Sequence, residues 1–392
     1  MIAVRSFTAV ERAWLVDTLG ALGRAEPVPP APTYIDWDGL VEAADAEDLV
    51  PALAHALGAR QFAGVPADVR RRLTDRVAAG RARHLVMLRE LAPVLRRCAA
   101  DGIEVIVFKG PALAELVYPD ATLRPFSDLD LLVHPHDRFR MDDALRALGH
   151  RRLADEHSWE FDVAYDGATV YETAAGVRID LHWSLLTEPR FPWRADEAEI
   201  WARAEPITVA GVPARGLGRE DLVLYLAAHL AVHHTLAGLL RYWDVALVLE
   251  RFGAELDWAA LLTRAERWRL RHALFFVLRG TQAAFAAPVP PAVLAALRPA
   301  GPRAMLLAAL VRGRDTLRLT RLEHLVTLLL VDRGRDLYGP LRHALWPSAD
   351  WMRARYGAAT ASRPALYLTH LRRLGGVVGG AAAALARGGV SH

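Results

Sequence analysis

The sequence has almost no lysine. Of its 48 lysine and arginine residues, only Lys109 is a lysine. Such a thorough replacement of Lys by Arg, in a chain with abundant Ala, Gly and Pro, is typical of a GC-rich genome. A lysine that survives there marks a position where the planar guanidinium of Arg cannot replace a compact ammonium, unless it survived by chance at a neutral position.

Cysteine is equally scarce, and neither a charge excess nor a targeting signal stands out. The single Cys98 excludes an intrachain disulfide and a cysteine-based zinc cluster, so we expect a reducing, cytoplasmic location. A formal net charge of +3 gives no nucleic-acid-binding signature by itself. Charged residues in the first 22 positions do not fit the apolar core of a secretory peptide.

One apolar run approaches the length of a membrane span. Residues 222–240 contain no Asp, Glu, Lys or Arg, and a bilayer requires about 20 such residues. His229, His233 and Gly238 interrupt the run. We therefore expect a buried helix of a helical bundle and no membrane association.

The residue pattern predicts three regions. Apolar residues at helical spacing dominate 1–100 and 217–392, whereas short apolar runs bounded by glycine are typical of strands at 101–216. We expect an N-terminal helical region at 1–100, a mixed α/β core at 101–216 and a C-terminal helical domain at 217–392. The predicted helices of the first two regions are 9–22, 37–57, 69–99, 111–118 and 137–148. The predicted strands are 103–108, 129–133, 161–165, 169–172, 177–182, 207–209 and 212–214, with hairpin turns at Asp166-Gly167 and Ala210-Gly211.

Two carboxylates at the start of an apolar strand carry the strongest chemical signal. Asp128 and Asp130 are two residues apart, so a strand places both on one side and Leu129 on the other. Two such close carboxylates need a cation, and Mg²⁺ prefers hard oxygen ligands. Asp180 on a later strand would complete a two-metal site, with Glu172 as the next candidate. The alternative is a strand-entry turn with solvated acids.

The segment before these carboxylates favours a phosphate site. Phe108-Lys109-Gly110 ends a predicted strand and begins a helix. Backbone N–H groups and the helix dipole can receive phosphate at such a turn, and Gly110 permits close approach.

These elements together resemble the polymerase-beta-type nucleotidyltransferase superfamily, and within it an uncharacterised bacterial nucleotidyltransferase family. The resemblance covers roughly residues 100–290. It rests on Phe108-Lys109-Gly110, Leu113, Tyr118, Arg124-Pro125, 127–133 and Asp180-Leu181-His182-Trp183, with weaker matches at 220–222, His229, His233 and 241–244.

The resemblance implies a fold and a set of roles. The fold would be α+β, with a polymerase-beta-type core of a mixed sheet and helices, flanked by the N- and C-terminal helical regions. Two Mg²⁺ ions would be held against the triphosphate of a nucleotide. The metal ligands would be Asp128, Asp130 and Asp180, and the nucleotide-binding residues would be Lys109, Gly110, Arg124 and Ser127.

The turn departs from the superfamily pattern. Most members have Gly-Ser there, whereas this chain has Lys109-Gly110-Pro111. Pro111 removes one backbone donor, so Lys109 is expected to supply a point charge to the phosphate instead. Arg124 either binds phosphate or pairs with a structural carboxylate.

The C-terminal helices contribute candidates for the acceptor side of the site. His229, His233 and His234 either form a metal site or are satisfied histidines of a core or cleft, and the second interpretation is favoured. Asp244 lies in an apolar helical run and needs a partner, which could be Arg241, a helix end or a substrate group. The acceptor-side candidates are Asp244, His233 and His182.

The leading hypothesis is an Mg²⁺-dependent nucleotidyltransferase. It would move a nucleoside monophosphate from an NTP to an acceptor and release pyrophosphate. A small molecule, peptide or protein acceptor is favoured over nucleic acid, because no basic patch is interleaved with aromatic residues. The alternatives are a catalytically silent nucleotide-binding or interaction protein on the same fold, and a phosphohydrolase with a metal at His229 and His233.

Overall fold

A computed structural model of the chain describes residues 7–153, 167–186, 192–311, 323–356 and 362–387. Its centre is a mixed seven-stranded sheet with the order β3-β4-β5-β2-β1-β7-β6. The strands are β1 (Val105–Phe108), β2 (Asp128–Val133), β3 (Arg151–Arg152), β4 (Ala168–Glu172), β5 (Arg178–His182), β6 (Glu205–Val209) and β7 (Val212–Gly216). The expected α+β fold with a mixed sheet is confirmed.

The central strands form where apolar, β-branched runs can be buried. β2 pairs antiparallel with β1 and parallel with β5, so it lies inside the sheet with neighbours on both sides. The hairpin predicted around Ala210-Gly211 is confirmed as β6 and β7. The predicted strand 161–165 lies outside the described residues, and β4 instead pairs with β3 and β5.

The N-terminal helices differ from the prediction at one junction. The predicted helix 37–57 is two helices, because Asp48 adopts a left-handed backbone (φ 58°) between them. The next predicted helix is one long helix that continues through Pro93. These helices are α1 (Ala9–Gly23), α2 (Trp37–Ala46), α3 (Val50–Ala59) and α4 (Ala67–Asp101).

The helices inside the core follow their strands closely. The helix predicted to begin at Pro111 begins two residues earlier, at Lys109, directly at the end of β1. Pro111 therefore lies in the first turn, where its missing N–H costs no hydrogen bond. The core helices are α5 (Lys109–Leu116), α6 (Arg138–Ala147) and α7 (Glu197–Arg203).

The apolar run 222–240 does not form one continuous helix. It is divided between α8 (Arg219–Ala228), a π-helical turn (His229–His233) and the beginning of α9 (Leu239–Phe252). No helix in the described ranges has the length and apolar character that crossing a membrane requires. The remaining helices are α10 (Trp258–Trp268), α11 (Arg271–Phe285), α12 (Pro291–Leu297), α13 (Pro302–Val311), α14 (Glu323–Leu330), α15 (Tyr338–Leu345), α16 (Ala349–Tyr356) and α17 (Arg363–Arg387).

Two hydrophobic cores lie on the two faces of the sheet. Leu129 and Leu131 of β2 pack with α4 and α6 in the smaller core. Leu132 faces the larger core, which the helices α1–α3 share with α8–α14. The N- and C-terminal helices thus pack together on one face of the sheet. Asp128 and Asp130 share that face with Leu132, as the period of two predicts. The three-region boundaries stay a prediction.

Candidate active site

Strand register brings Asp130 beside Asp180. The two residues are direct partners in the parallel pair of β2 and β5. One ligand atom each of Asp130, Asp180 and His182 lies within 4.8 Å of the other two. Asp128 begins β2 on the same face but is outside that tight group. The structure therefore brings two of the three predicted carboxylates together and adds His182, which we had expected on the acceptor side.

Glu172 is not an alternative third ligand. It is aligned with Arg178 in the register of β4 and β5, and its carboxylate accepts a hydrogen bond from Arg151 at 2.9 Å. Asp180 therefore remains the predicted third metal ligand.

The carboxylates are electrostatically unequal. Burial and the charge of Asp130 raise the pKa of Asp128, and the same two causes raise the pKa of Asp180 to about 6. The pKa of Asp130 is lowered, because the charges of Lys109 and His182 outweigh its burial. The cluster therefore favours a bound cation, which would relieve the repulsion among its negative charges.

Lys109 supplies a cation to the most buried carboxylate. Its Nζ lies 2.5 Å from Asp130 Oδ1, with the two side chains 19% and 1% exposed. Burial lowers the pKa of Lys109, but Tyr225 and Asp130 outweigh it, so the pKa is raised. Lys109 also adopts a left-handed backbone with φ 53°, a conformation unusual for a residue with a side chain. The predicted phosphate-binding lysine is thus paired with a predicted metal ligand.

Gly110 is required by close packing. A Cβ built at this position would lie 2.4 Å from the Cβ of Phe126, which is far inside the contact distance of two non-bonded carbon atoms. Phe126 precedes Ser127 and Asp128, so the glycine lets the first turn of α5 approach the segment that leads into β2. Ser127 and Gly110 both line the cleft described below.

Arg124 pairs with Asp244. Its Nε donates to Oδ1 at 2.7 Å and its Nη2 donates to Oδ2 at 2.9 Å. Tyr118 Oη donates to the same Oδ1 at 2.6 Å, and Arg124 Nη1 donates to the carbonyl of Pro125. Of the alternatives left open by the sequence, the structure shows Arg124 with a carboxylate and Asp244 with Arg124 rather than Arg241.

A cleft of about 780 Å³ opens over Asp128 and Asp130, while Asp180 and His182 are not among the residues that line it. Its walls come from α2–α4 on one side and from α8, the π-helical turn and α9 on the other. Eight predicted site residues line it: Lys109, Gly110, Arg124, Ser127, Asp128, Asp130, His233 and Asp244.

Sequence reasoning did not single out four charged residues that also line the cleft, Asp45, Asp48, Arg76 and Arg83. Arg241, considered there only as a partner of Asp244, lines it as well. Within the described ranges, Arg83 and Arg241 make no ion pair. They come from segments distant in the chain, and only the fold brings them to one opening.

His229 in the π-helical turn and His234 directly after it are kept neutral by lowered pKa values. Burial, followed by the charge of Lys109, holds the pKa of His229 well below its usual range. Burial and Arg241 lower the pKa of His234 to about 3. Among the residues that the structure describes, only the Asp130 group has three ligands close enough for a metal. The interpretation as cleft histidines is therefore better supported than the metal site at His229 and His233.

The carboxylate cluster fits a metal ion. Asp130 Oδ2 is buried and has no hydrogen-bond partner among the described residues. A buried carboxylate oxygen without a partner is costly, and a cation would satisfy it. The oxygen ligands of Asp128, Asp130 and Asp180 suit Mg²⁺.

Residues 33–286 match the family model described as "Uncharacterised nucleotidyltransferase". The chain belongs to this family. The resemblance noted in the sequence is thereby confirmed, and the nucleotidyltransferase is an enzyme that transfers a nucleotidyl group. No curated protein matches the chain.

One solved structure that the nucleotidyltransferase resembles is "Solution Structure of Antibiotic-Resistance Factor ANT(2'')-Ia Reveals Substrate-Regulated Conformation Dynamics". The TM-score is 0.34 and the sequence identity is 16%. The match covers 52% of this chain and 95% of that chain. A likeness this distant says nothing about the substrate of the nucleotidyltransferase.

Proposed function

We propose that the protein transfers a nucleoside monophosphate from an NTP to an acceptor in an Mg²⁺-dependent reaction. The observation that carries this proposal is the alignment of Asp130 with Asp180 across β2 and β5, with Asp128 on the same face. Three carboxylates on adjacent strands, one of them with a buried oxygen that lacks a hydrogen-bond partner in the described structure, match the ligand needs of a two-metal site.

Asp128, Asp130 and Asp180 would hold two Mg²⁺ ions. Bound there, the ions would neutralise the triphosphate and lower the pKa of the attacking group. Asp180 would also accept the proton of the acceptor, because strand register places its carboxylate beside Asp130 at the metal site.

The bonds made and broken follow from this reaction class. An oxygen or nitrogen of the acceptor forms a bond to the α-phosphorus, and the bond from that phosphorus to the bridging oxygen breaks. The electron pair leaves with pyrophosphate, and the acceptor proton goes to an Asp180 oxygen. No oxidant or reductant is required.

Lys109 would bind a phosphate oxygen of the nucleotide, together with Gly110 and Ser127. Its position at the end of β1, beside Asp130 and on the cleft wall, supports this role. Arg124 would attract the nucleotide through its positive charge and not through a hydrogen bond, since its three nitrogens already donate to Asp244 and Pro125.

The acceptor would enter the part of the cleft formed by the C-terminal helices. Asp244 and His233 line that part and are proposed on the acceptor side, whereas His182 lies with the carboxylates. The cleft of about 780 Å³ lies within the usual ~300–1,000 Å³ of ligand sites. The acceptor is proposed to be a small molecule, peptide or protein, and the reaction to be cytoplasmic.

The test determines which phosphorus of the NTP is transferred to the acceptor. Wild-type protein is incubated with Mg²⁺, acceptor pools from a cell extract and each NTP, labelled at either the α- or the γ-phosphorus. We expect α-label to appear on an acceptor and γ-label only in pyrophosphate, with neither result in Asp130→Asn. Transfer of γ-label to an acceptor would indicate a kinase. NTP binding without turnover across all pools would favour the alternative of a catalytically silent nucleotide-binding protein.

A further inference from the structure

His182 has an unusual environment for a partly buried imidazole. Its side chain is 13% exposed, and within the described residues neither ring nitrogen has a hydrogen-bond partner. Nε2 lies 3.3 Å from Asp130 Oδ1 but is among the atoms without hydrogen-bond geometry. The imidazole thus contacts the carboxylate oxygen that also accepts a hydrogen bond from Lys109 Nζ.

The fold holds this imidazole against the carboxylates. Asp180 and His182 are two residues apart on β5, so their side chains project from the same face of the sheet. The ring of His182 packs edge-on against Phe108, with 5.2 Å between ring centroids and an interplanar angle of 72°. Strand register and this packing fix the imidazole.

A buried carboxylate oxygen completes the ligand set. Asp130 is 0% exposed as a residue, and its Oδ2 has no hydrogen-bond partner in the part of the chain that is described. Two carboxylates and one imidazole, with ligand atoms within 4.8 Å of one another, can reach a single ion. The buried Asp130 Oδ2 without a partner among the described residues distinguishes this group from a cluster of solvated carboxylates.

The donor set differs from that of a pure magnesium site. Mg²⁺ prefers oxygen ligands and is seldom bound by nitrogen, whereas imidazole favours first-row transition metals and carboxylates also suit Mn²⁺. We propose that Asp130, Asp180 and His182 form a mixed carboxylate–imidazole metal position that selects Mn²⁺ over Mg²⁺. The other position, between Asp128 and Asp130, has only oxygen ligands and stays with Mg²⁺.

The existence of two metal positions rests on the proposed function. The selectivity for Mn²⁺ can be tested separately, by measuring metal binding in the absence of nucleotide. Full-length, chelator-treated protein is titrated with Mn²⁺ by electron paramagnetic resonance and with Mg²⁺ by calorimetry. In His182→Ala we expect the Mn²⁺ affinity to fall about tenfold or more and the Mg²⁺ affinity to change less than about threefold. Pulsed resonance should detect a nitrogen nucleus coupled to Mn²⁺ in the wild type and none in the variant.

Two further variants keep the test decisive. His150→Ala is the matched control, because His150 also has a buried ring nitrogen without a hydrogen-bond partner in the described structure but is outside the carboxylate group. It should keep both the affinity and the nitrogen coupling. His182→Gln preserves side-chain volume and replaces His182→Ala if that variant does not fold.

The outcomes separate this inference from the proposed function. Wild-type protein with saturating Mn²⁺ and no nitrogen coupling would overturn the inference, as would unchanged Mn²⁺ affinity in both His182 variants. Either result leaves α-phosphoryl label transfer unaffected. Nitrogen-coupled Mn²⁺ in a protein that transfers no label would support the metal position and contradict the proposed function.

Discussion

Lys109 Nζ lies 2.5 Å from Asp130 Oδ1, the carboxylate oxygen that His182 Nε2 approaches at 3.3 Å. The only lysine of the chain therefore neutralises the most buried carboxylate of the cluster. A metal at Asp130 would have to compete with this ammonium. The pair predicts that Lys109 has opposite effects on the two ligands, because its ammonium repels a metal ion at Asp130 but attracts a phosphate of the nucleotide.

Lys109 variants test this competition. We expect Lys109→Met to bind Mn²⁺ more tightly than wild type in the absence of nucleotide, by about tenfold, because a competing cation next to Asp130 is removed. The same variant should bind NTP more weakly and turn over more slowly. Metal titration and nucleotide calorimetry measure the two effects.

Lys109→Arg is the charge-matched control. A planar guanidinium needs more room than an ammonium, and the position is buried against Asp130 and Tyr225. We expect Arg to fail to restore turnover. If Arg restores near-normal values where Met does not, only the charge matters and the steric argument is wrong. If both variants match the wild type, Lys109 has no role in binding.

The raised pKa of Asp180 predicts that the protein becomes more stable when the Asp180 carboxyl is replaced by a neutral group. The pKa of its carboxyl is about 6 in the folded protein and 3.8 as the ordinary value. Well below pH 3.8 the group is protonated in both states, so stability is unaffected. As the pH rises from about 4 to 6 the unfolded chain loses this proton while the folded protein keeps it, so stability falls across this interval and stays at the lower value above it.

We therefore expect metal-free Asp180→Asn to be more stable than wild type by about 1–3 kcal/mol at pH 8. The difference should vanish below about pH 3, while turnover is strongly reduced at every pH. Urea denaturation at both pH values measures it. Equal stability at pH 8 would show that Asp130 and burial do not oppose the charge of Asp180.

The pair of Arg124 and Asp244 predicts the opposite effect on stability. Both side chains are buried, at 14% and 3% exposure. Asp244→Asn leaves the guanidinium without a compensating charge, and such a loss costs about 3–5 kcal/mol. Tyr118→Phe removes one hydrogen bond to the same carboxylate and should cost only about 1 kcal/mol.

A double-mutant cycle separates the pair from the individual side chains. The double variant Arg124→Met/Asp244→Leu removes both charges, and we expect it to lose less stability than the sum of the losses in Arg124→Met and Asp244→Leu made singly. Additive losses in chemical denaturation would mean that the two residues stabilise the fold independently.

Local patterns explain what could be predicted from the sequence. The spacing of Asp128 and Asp130 was sufficient to place both on one face of β2, because side-chain alternation depends on neighbouring residues alone. The approach of Asp180 was implied by the family resemblance and not by local pattern, since it depends on the pairing of β2 with β5. Two helix predictions were incomplete because each depends on a local backbone conformation that side-chain alternation does not indicate. Asp48 separates α2 from α3 with a left-handed backbone. The π-helical turn at His229–His233 interrupts the second predicted helix.

Pairings between distant residues could not be predicted. Lys109 and Asp130 are 21 positions apart, and Arg124 and Asp244 are 120 positions apart. Such pairs depend on sheet register and on helix packing, which a single sequence does not specify. The contact between His182 and Asp130 could not be predicted either, because the parallel pairing of β2 and β5, which brings the two residues together, is a long-range property.

Asp128→Asn gives the most direct test of the central claim, that the carboxylates on β2 and β5 carry nucleotidyl transfer. Asp128 is half-buried, and its pKa is raised by burial and by Asp130, so neutralising it should leave the fold intact by circular dichroism. The measurement is the rate of α-phosphoryl label transfer with Mg²⁺. We predict a loss of about a thousandfold or more, as expected when a metal ligand worth several kcal/mol is removed. A folded Asp128→Asn with wild-type transfer would contradict the account.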